Sequence, residues 1–466
     1  MEVKDMKKWN VFCVIVLISL SSADAQEWID LFNGKNFKGW TQLDGTAEYR
    51  VENGEVIGVS KVGTPNSFMA TKKVYGDFIL EYEMKMDRGL NSGVQFRSDA
   101  TKPNGTERVN GYQVECDDHD DRPWAGGIYE EADRGWLYPM SYNQSVADVN
   151  KRGEWNKIRV EAVGSTIRTY INGVNFANLV DDARTEGLIA LQVHGIGSRE
   201  EDAGKEIRWR HIRILTNEPG KFLKSDVDLS PEVSFLTNEL TPGQKNDGWK
   251  LLWDGKTMEG WKGAKLEHFP KKGWTMAEGT LTVGESGGKE SAHGGDIVTL
   301  KKYGNFILEL DFKVAKGANS GIKYFVNPDH TTGARASIGC EYQILDDKNH
   351  PDAKKGIAGN RTVGSLYDLI PADASIYGQD NTKKRFNGID KWNRARIEVR
   401  GSRVSHFLNG VKIVEYERGT QLWKAIVAYS KYAEYPAFGE AQTGHILLQE
   451  HGNEVSFKNI RILELD

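Results

Sequence analysis

The sequence predicts an all-β protein built as two tandem sandwiches of antiparallel sheets, and three observations carry that prediction. The chain repeats itself: Tyr75-Gly-Asp-Phe-Ile-Leu-Glu-Tyr-Glu-Met-Lys returns as Tyr303-Gly-Asn-Phe-Ile-Leu-Glu-Leu-Asp-Phe-Lys, and Leu191-Gln-Val-His194-Gly returns as Leu448-Gln-Glu-His451-Gly. Glycine is abundant, at 50 of 466 residues, and the 39 % hydrophobic content falls in short runs between Asn-Gly, Gly-Asp and proline turns, with little helical periodicity. Finally, Phe78, Leu80, Tyr82, Met84 and Met86 alternate with Ile79, Glu81, Glu83 and Lys85, the period of a half-buried strand.

Taken in order, residues 1–25 read as an export signal. Lys7-Lys8 precedes the apolar run Val11 to Leu20, and Ser21-Ser22-Ala23-Asp24-Ala25 supplies the small residues of a cleavage site after Ala25. The run is too short to span a bilayer, and Cys13 lies inside it without the context of a lipid-attachment cysteine. A periplasmic location is therefore expected, with lipoprotein anchoring disfavoured.

The first repeat, 26–216, opens on Leu31-Phe-Asn-Gly34 before Trp40 and closes on Ile212-Arg-Ile-Leu; the second, 249–466, opens on Leu252-Trp-Asp-Gly255 before Trp261 and closes on Ile460-Arg-Ile-Leu. Hairpins are expected from Ile158 to Ile171 and from Ala395 to Leu408. Each is followed by an Asn-Gly pair, Asn172-Gly173 or Asn409-Gly410, able to adopt the positive φ of a tight turn. Residues 217–248 form a linker that should pack, with a helix-like stretch near Glu232 to Leu240. The late insertions of the second repeat, around Ile376 to Asp390 and Glu417 to Thr443, should line or cover something specific to it.

A formal net charge of -5 and the lack of a basic stripe argue against a nucleic-acid partner. Beyond the signal only Cys116 and Cys340 remain, at positions that do not correspond between repeats, so two free buried thiols are expected.

The residues common to both repeats form a recognisable pattern. It comprises Asn91-Ser-Gly93, Gly111-Tyr-Gln-Val-Glu115, Gly127-Ile-Tyr129, Glu154-Trp-Asn156 and Gln192-Val-His194-Gly195. The second copy has Asn319-Ser-Gly321, Glu341-Tyr-Gln343, Gly364-Ser-Leu-Tyr367, Trp392-Asn393 and Gln449-Glu-His451-Gly452. Each half thereby resembles the 3-keto-disaccharide hydrolase domain family. The resemblance implies a concanavalin A-like jelly roll with a sugar site on its concave face, acting on 3-keto glycosides made by a partner oxidoreductase. A ketone at carbon 3 acidifies the hydrogen on carbon 2, so a base can remove it and the enolate can expel the anomeric group before water adds back. Such a site needs a base near carbon 2 and a cation or donor near the enolate oxygen.

Within Gln113/Glu115 and within Glu341/Gln343 the residues are two apart and share a sheet face. Glu115, Glu341, His194 and His451 are the candidate catalytic residues, each glutamate with its histidine forming a base and polarising pair. Gln95, Arg97, Gln113, Tyr129, Trp136 and Gln192 in the first copy, and Lys323, Gln343, Tyr367 and Gln449 in the second, are candidate substrate contacts. Arg97 is expected to share a face with Gln95, at a position where the second copy has Phe325. The histidines also fit structural turns, and Asn91 and Asn319 read as turn formers. Trp40, Trp155, Trp261 and Trp392 recur and read as core, whereas Trp124, Trp136, Trp274 and Trp423 do not recur and read as sugar-stacking candidates.

Acidic clusters at Asp117-Asp-His-Asp-Asp121 and at Asp346-Asp347 with His350 and Asp352 could hold a divalent metal, or could be solvated turns. A retaining glycosidase would place two carboxylates about 5 to 5.5 Å apart. Here Glu309-Leu-Asp311 is followed by Val314, and Gln113-Val-Glu115 has no partner acid. The rival reading is a non-catalytic carbohydrate-binding protein with one or two lectin-like sandwiches, since one fold serves both roles.

Overall fold

The computed structural model describes residues 27–101, 107–225, 228–287, 293–332, 336–372, 384–435 and 437–466. Residues 1–25, read above as an export signal, lie outside them, as do residues 376 to 383 of the first late insertion.

Each repeat folds into two facing sheets, antiparallel throughout except where the linker strand Glu232–Ser234 joins the first repeat. In the first, a seven-stranded sheet runs in the order Gly135–Tyr138, Ile128–Glu131, Glu107–Asp117, Asn91–Thr101, Leu188–Val193, Ser67–Thr71, Trp40–Asp44, and a nine-stranded sheet backs it. The second repeat backs the five-stranded sheet Trp261–Gly263, Ile297–Thr299, His445–Leu448, Asn319–Thr332, Ala336–Leu345 with an eight-stranded one. Phe78–Met86 and Phe306–Val314 sit centrally in the two backing sheets, flanked on both sides by antiparallel partners. Their alternate residues Phe78, Leu80 and Tyr82, and Phe306, Leu308 and Leu310, enter two separate apolar cores. This architecture is the jelly-roll sandwich expected from the resemblance.

The Asn-Gly turns behave as their chemistry requires. Asn172 and Gly173 have φ of 49° and 91°, and Asn409 and Gly410 have 48° and 78°, so each pair reverses the chain between twisted strands. The two thiols, Cys116 and Cys340, are free and buried on the inner faces of the two site-bearing sheets.

The linker differs from its expected helix. Glu232–Ser234 is a strand that pairs in parallel with Val174–Val180, and the helix comes later, at Pro242–Asn246. Thr241 caps that helix by accepting from the Gln244 amide while Gln244 Oε1 accepts from the Thr241 amide, and proline follows at the first helical position. Strand pairing prevails at 232–234 because the backbone there serves both repeats. The Ser234 carbonyl accepts from Arg394 at 2.8 Å and Arg461 at 3.2 Å, guanidinium groups of the second repeat held by Asp311 and Glu309. Burial raises the Glu309 carboxyl, but Arg461, Arg396 and Arg394 outweigh it and hold it at about 2. Glu309 and Asp311 therefore act in the backing sheet as ion-pair partners, away from the concave face.

Candidate functional site

Directly paired residues of an antiparallel ladder share a face, so the register defines what the concave sheets present. In the first sandwich one row runs Ala190, Gln95, Gln113, Tyr129, Trp136, and the next runs Gln192, Gly93, Glu115. In the second, Leu447, Lys323 and Glu341 form the first row; Gly321 and Gln343 pair in the next, where the Gln449 amide donates to the Gly321 carbonyl. The carboxylate has thus exchanged places with the amide between the copies. Glu115 sits opposite a glycine, whereas Glu341 sits opposite a lysine.

Glycine at the centre of each sheet is a spatial necessity. A Cβ on Gly93 would overlap the Gln113 side chain, and one on Gly321 would overlap the Glu341 carboxylate, which leans across that position.

Four polar residues of the first site, Asn91, Gln95, Gln113 and Glu115, bond one another in a chain. Gln95 Nε2 donates to Gln113 Oε1 at 2.7 Å, Gln113 Nε2 donates to Glu115 Oε2 at 2.8 Å, and Asn91 donates to both Glu115 and Asp117. Burial pushes the Glu115 carboxyl up to about 8, against the lowering effect of the Asn91 and Gln113 hydrogen bonds. His194 Nδ1 donates to the Gly195 carbonyl at 2.9 Å, which leaves Nε2 as the basic nitrogen, and burial lowers its pKa. Gln192 is buried with neither amide atom hydrogen-bonded. Tyr129 and Trp136 pack edge to face 5.4 Å apart, Trp124 joins them, and the Arg385 guanidinium of the second repeat lies 4.9 Å over Trp136.

The second site is open. A cavity of 260 Å³ is floored by Asn319, Lys323, Glu341, Gln343, Gln449 and His451, walled by Ser337 and Tyr367, and roofed by Lys431, Tyr432, Glu434 and Tyr435. Its roof follows the helix Gln421–Ala428, so the insertion at Glu417 to Thr443 does line this copy's cavity. The Lys431 ammonium lies 4.1 Å from the Tyr367 ring and 5.1 Å from that of Tyr432, while its amide donates to Asp368. Gln343 donates to Asn319, whose Nδ2 lies 3.4 Å from His451 Nε2. Ser337 Oγ, Gln343 Oε1 and His451 Nδ1 are buried without a hydrogen-bond partner. Buried polar atoms beside a cavity are placed to bond the hydroxyl and carbonyl groups of a ligand.

Several expected residues lie elsewhere or act differently. Arg97 does not line the first site: the register breaks between Phe96 and Asp99, Arg97 takes φ of 44°, and its side chain turns away from Gln95. It donates to the carbonyls of Gly76, Gly164 and Arg184 and pairs with Asp77, holding loops together. In the second copy Arg418 performs that task from another strand end, stacking 3.8 Å over Phe325 and donating to the Gly401, Gly439 and Ala441 carbonyls. Trp274 and Trp423 are buried and stack on Phe457, and on Tyr416 and Phe438, so they belong to the core. Trp155 and Trp392, expected in the core, are only half-buried and carry Arg210, and Lys313 with Lys458, on their faces.

The acidic clusters organise loops. Asp346 accepts from the amides of Gly317, Lys348 and Asn349, and Asp118 accepts from that of Gly153. Among the described residues no three His, Cys, Asp or Glu side chains converge as a metal-ligand set. Tyr367 lines the cavity with its ring, because its hydroxyl donates to Asp352. Asn91 and Asn319, read as turn formers, instead bond the site glutamate or glutamine in both copies; the recurring Asn-Ser-Gly was the available signal.

Comparison with known proteins places this repeat in context. The profile of the 3-keto-alpha-glucoside-1,2-lyase-like domain matches residues 27–215 and 248–463. A 3-keto-disaccharide hydrolase of Bacteroides thetaiotaomicron is 37 % identical over 243 residues, 47 % of this chain and 79 % of that protein. Two candidate glycosyl hydrolases of known structure from Parabacteroides distasonis are also similar. One is 30 % identical and covers 49 % of this chain and 100 % of its own, with a TM-score of 0.42. The other is 26 % identical and covers 47 % and 99 %, with a TM-score of 0.32.

Proposed function

This chain belongs to the family of 3-keto-alpha-glucoside-1,2-lyase-like domains, and from that premise we propose that it cleaves 3-keto glycosides, with the second sandwich as the working site. The observation that carries the assignment is the second cavity itself: Ser337 Oγ, Gln343 Oε1 and His451 Nδ1 wait unbonded beside a lysine and a glutamate that face each other. A sugar ring bearing a ketone supplies hydroxyls for the first group and an electrophilic carbon for the second.

Glu341 is the base for the hydrogen on carbon 2, and Lys323 stabilises the charge that develops on the carbon 3 oxygen. His451, held by Asn319, serves the departing anomeric oxygen and then the incoming water. Gln343 and Gln449 fix the ring hydroxyls, and the Tyr367 ring with the Lys431 to Tyr435 roof limits water access. The outcome is net hydrolysis by elimination and addition, with no oxocarbenium ion. The first sandwich, whose polar row is closed on itself, binds without turning over. The protein acts after export, with residues 1–25 removed, on ketones made by a partner oxidoreductase.

The test offers purified protein a 3-keto glucoside and its parent glucoside. Aglycone release from the ketone alone is expected, with deuterium from heavy water entering carbon 2. Cleavage of the parent, or of neither with sugar binding retained, would sink the proposal, the latter in favour of a carbohydrate-binding protein.

A further inference from the structure

The first sandwich places Gln95 opposite Gln113 where the second places Lys323 opposite Glu341, so the second copy carries a primary amine in the lining of its cavity. Lys323 is 5 % exposed. Its stem lies in the row of Leu447, which joins Ala264, Val298 and Val326 in a separate apolar cluster, and its Nζ donates to the Ser337 carbonyl at 3.4 Å. The partner carboxylate leans over Gly321 from directly across the ladder.

We propose that Lys323 is a covalent catalyst whose amine condenses with the carbon 3 ketone of the sugar, an inference that rests on reading the second cavity as a 3-keto-glycoside site. A lysine and a glutamate lining one cavity hold the same protons whether as ammonium and carboxylate or as amine and carboxylic acid. Removal from water costs the charged form more, so the apolar flank and scant exposure favour a nucleophilic amine more than a surface lysine would allow.

The nitrogen lone pair forms a bond to carbon 3, and a proton moves from nitrogen to the former carbonyl oxygen. That hydroxyl leaves as water with the proton held by Glu341, giving an iminium and a Glu341 carboxylate. The carboxylate then takes the hydrogen from carbon 2, and the electron pair of that C–H bond becomes the enamine double bond. The enamine expels the anomeric oxygen, which takes the proton that Glu341 removed from carbon 2 and leaves as the free alcohol, giving an iminium conjugated to the new double bond between carbons 1 and 2 and a Glu341 carboxylate. One water adds at carbon 1 with a proton at carbon 2, and a second hydrolyses the iminium, restoring ketone, amine and acid. An iminium puts positive charge within the conjugated system, where a neighbouring ammonium acts only through space.

Methyl 3-keto-glucoside with sodium cyanoborohydride, applied to the full chain, tests this by peptide mass mapping and methanol release. Wild type is expected to gain a reduced sugar adduct at Lys323 that Lys323→Gln lacks; the first sandwich already carries glutamine at that position, so the variant is expected to fold. Lys323→Arg keeps the charge and loses the nucleophile, and is expected to lose at least about a hundredfold in kcat. Methanol release with Lys323 unmodified, or Lys323→Arg within about threefold of wild type, overturns the covalent role and leaves the proposed function standing. An adduct without release upholds condensation and removes the elimination. Neither adduct nor release removes both.

Discussion

Glu341 stands directly across the strand ladder from Lys323, at the position where the first sandwich pairs Gln113 with Gln95. The same fold therefore carries a titratable pair in one copy and a neutral pair in the other. That exchange separates the two sites chemically, and the variants below are chosen to read it.

Glu341→Gln is expected to reduce cleavage of a 3-keto glucoside by about 10²- to 10⁴-fold, the range for loss of a positioned base. Glu115→Gln should leave the rate within about threefold. Steady-state kinetics on the two variants check this, and equal losses would show that both copies turn over.

The histidines should divide in the same way. His451→Asn is expected to lower kcat by about a hundredfold, because it removes the group that Asn319 holds at the cavity floor. His194→Asn should leave kcat unchanged, since His194 Nδ1 is engaged by its own neighbour's carbonyl in the closed copy. Steady-state kinetics on both histidine variants test this division, and equal losses would overturn the assignment.

Stability should fall as pH rises through the window set by Glu115. Its folded pKa lies near 8 against an unfolded value near 4.5, so between those values the folded chain retains a proton that the unfolded chain has released. Stability then declines with rising pH, by a total on the order of a few kcal/mol. Thermal unfolding of wild type and Glu115→Gln from pH 5 to 8 checks the sign: the variant is expected to show the shallower decline.

Arg97→Ala should destabilise the first sandwich by about 1 to 3 kcal/mol, because it empties the space of a buried side chain and strands part-buried carbonyls that the guanidinium now satisfies. The KM for a 3-keto glucoside should not move. Denaturant unfolding and kinetics together distinguish this from the substrate contact that sequence position alone suggested.

Sequence by itself determined the repeat, the all-β class, the hairpins at Asn172-Gly173 and Asn409-Gly410, and the same-face Gln/Glu pairs, because turn chemistry and the two-residue strand period are local properties written residue by residue. Tertiary structure alone decided what those faces meet. A bulge after Phe96 turned Arg97 from Gln95's face, packing drew Trp274 and Trp423 into the core, and pairing with Val174–Val180 made a strand of Glu232–Ser234. Cross-strand register placed Lys323 against Glu341, and the fold of a late insertion laid a roof over them. Register and cavity depend on contacts between segments far apart in the chain, so no local pattern encodes them.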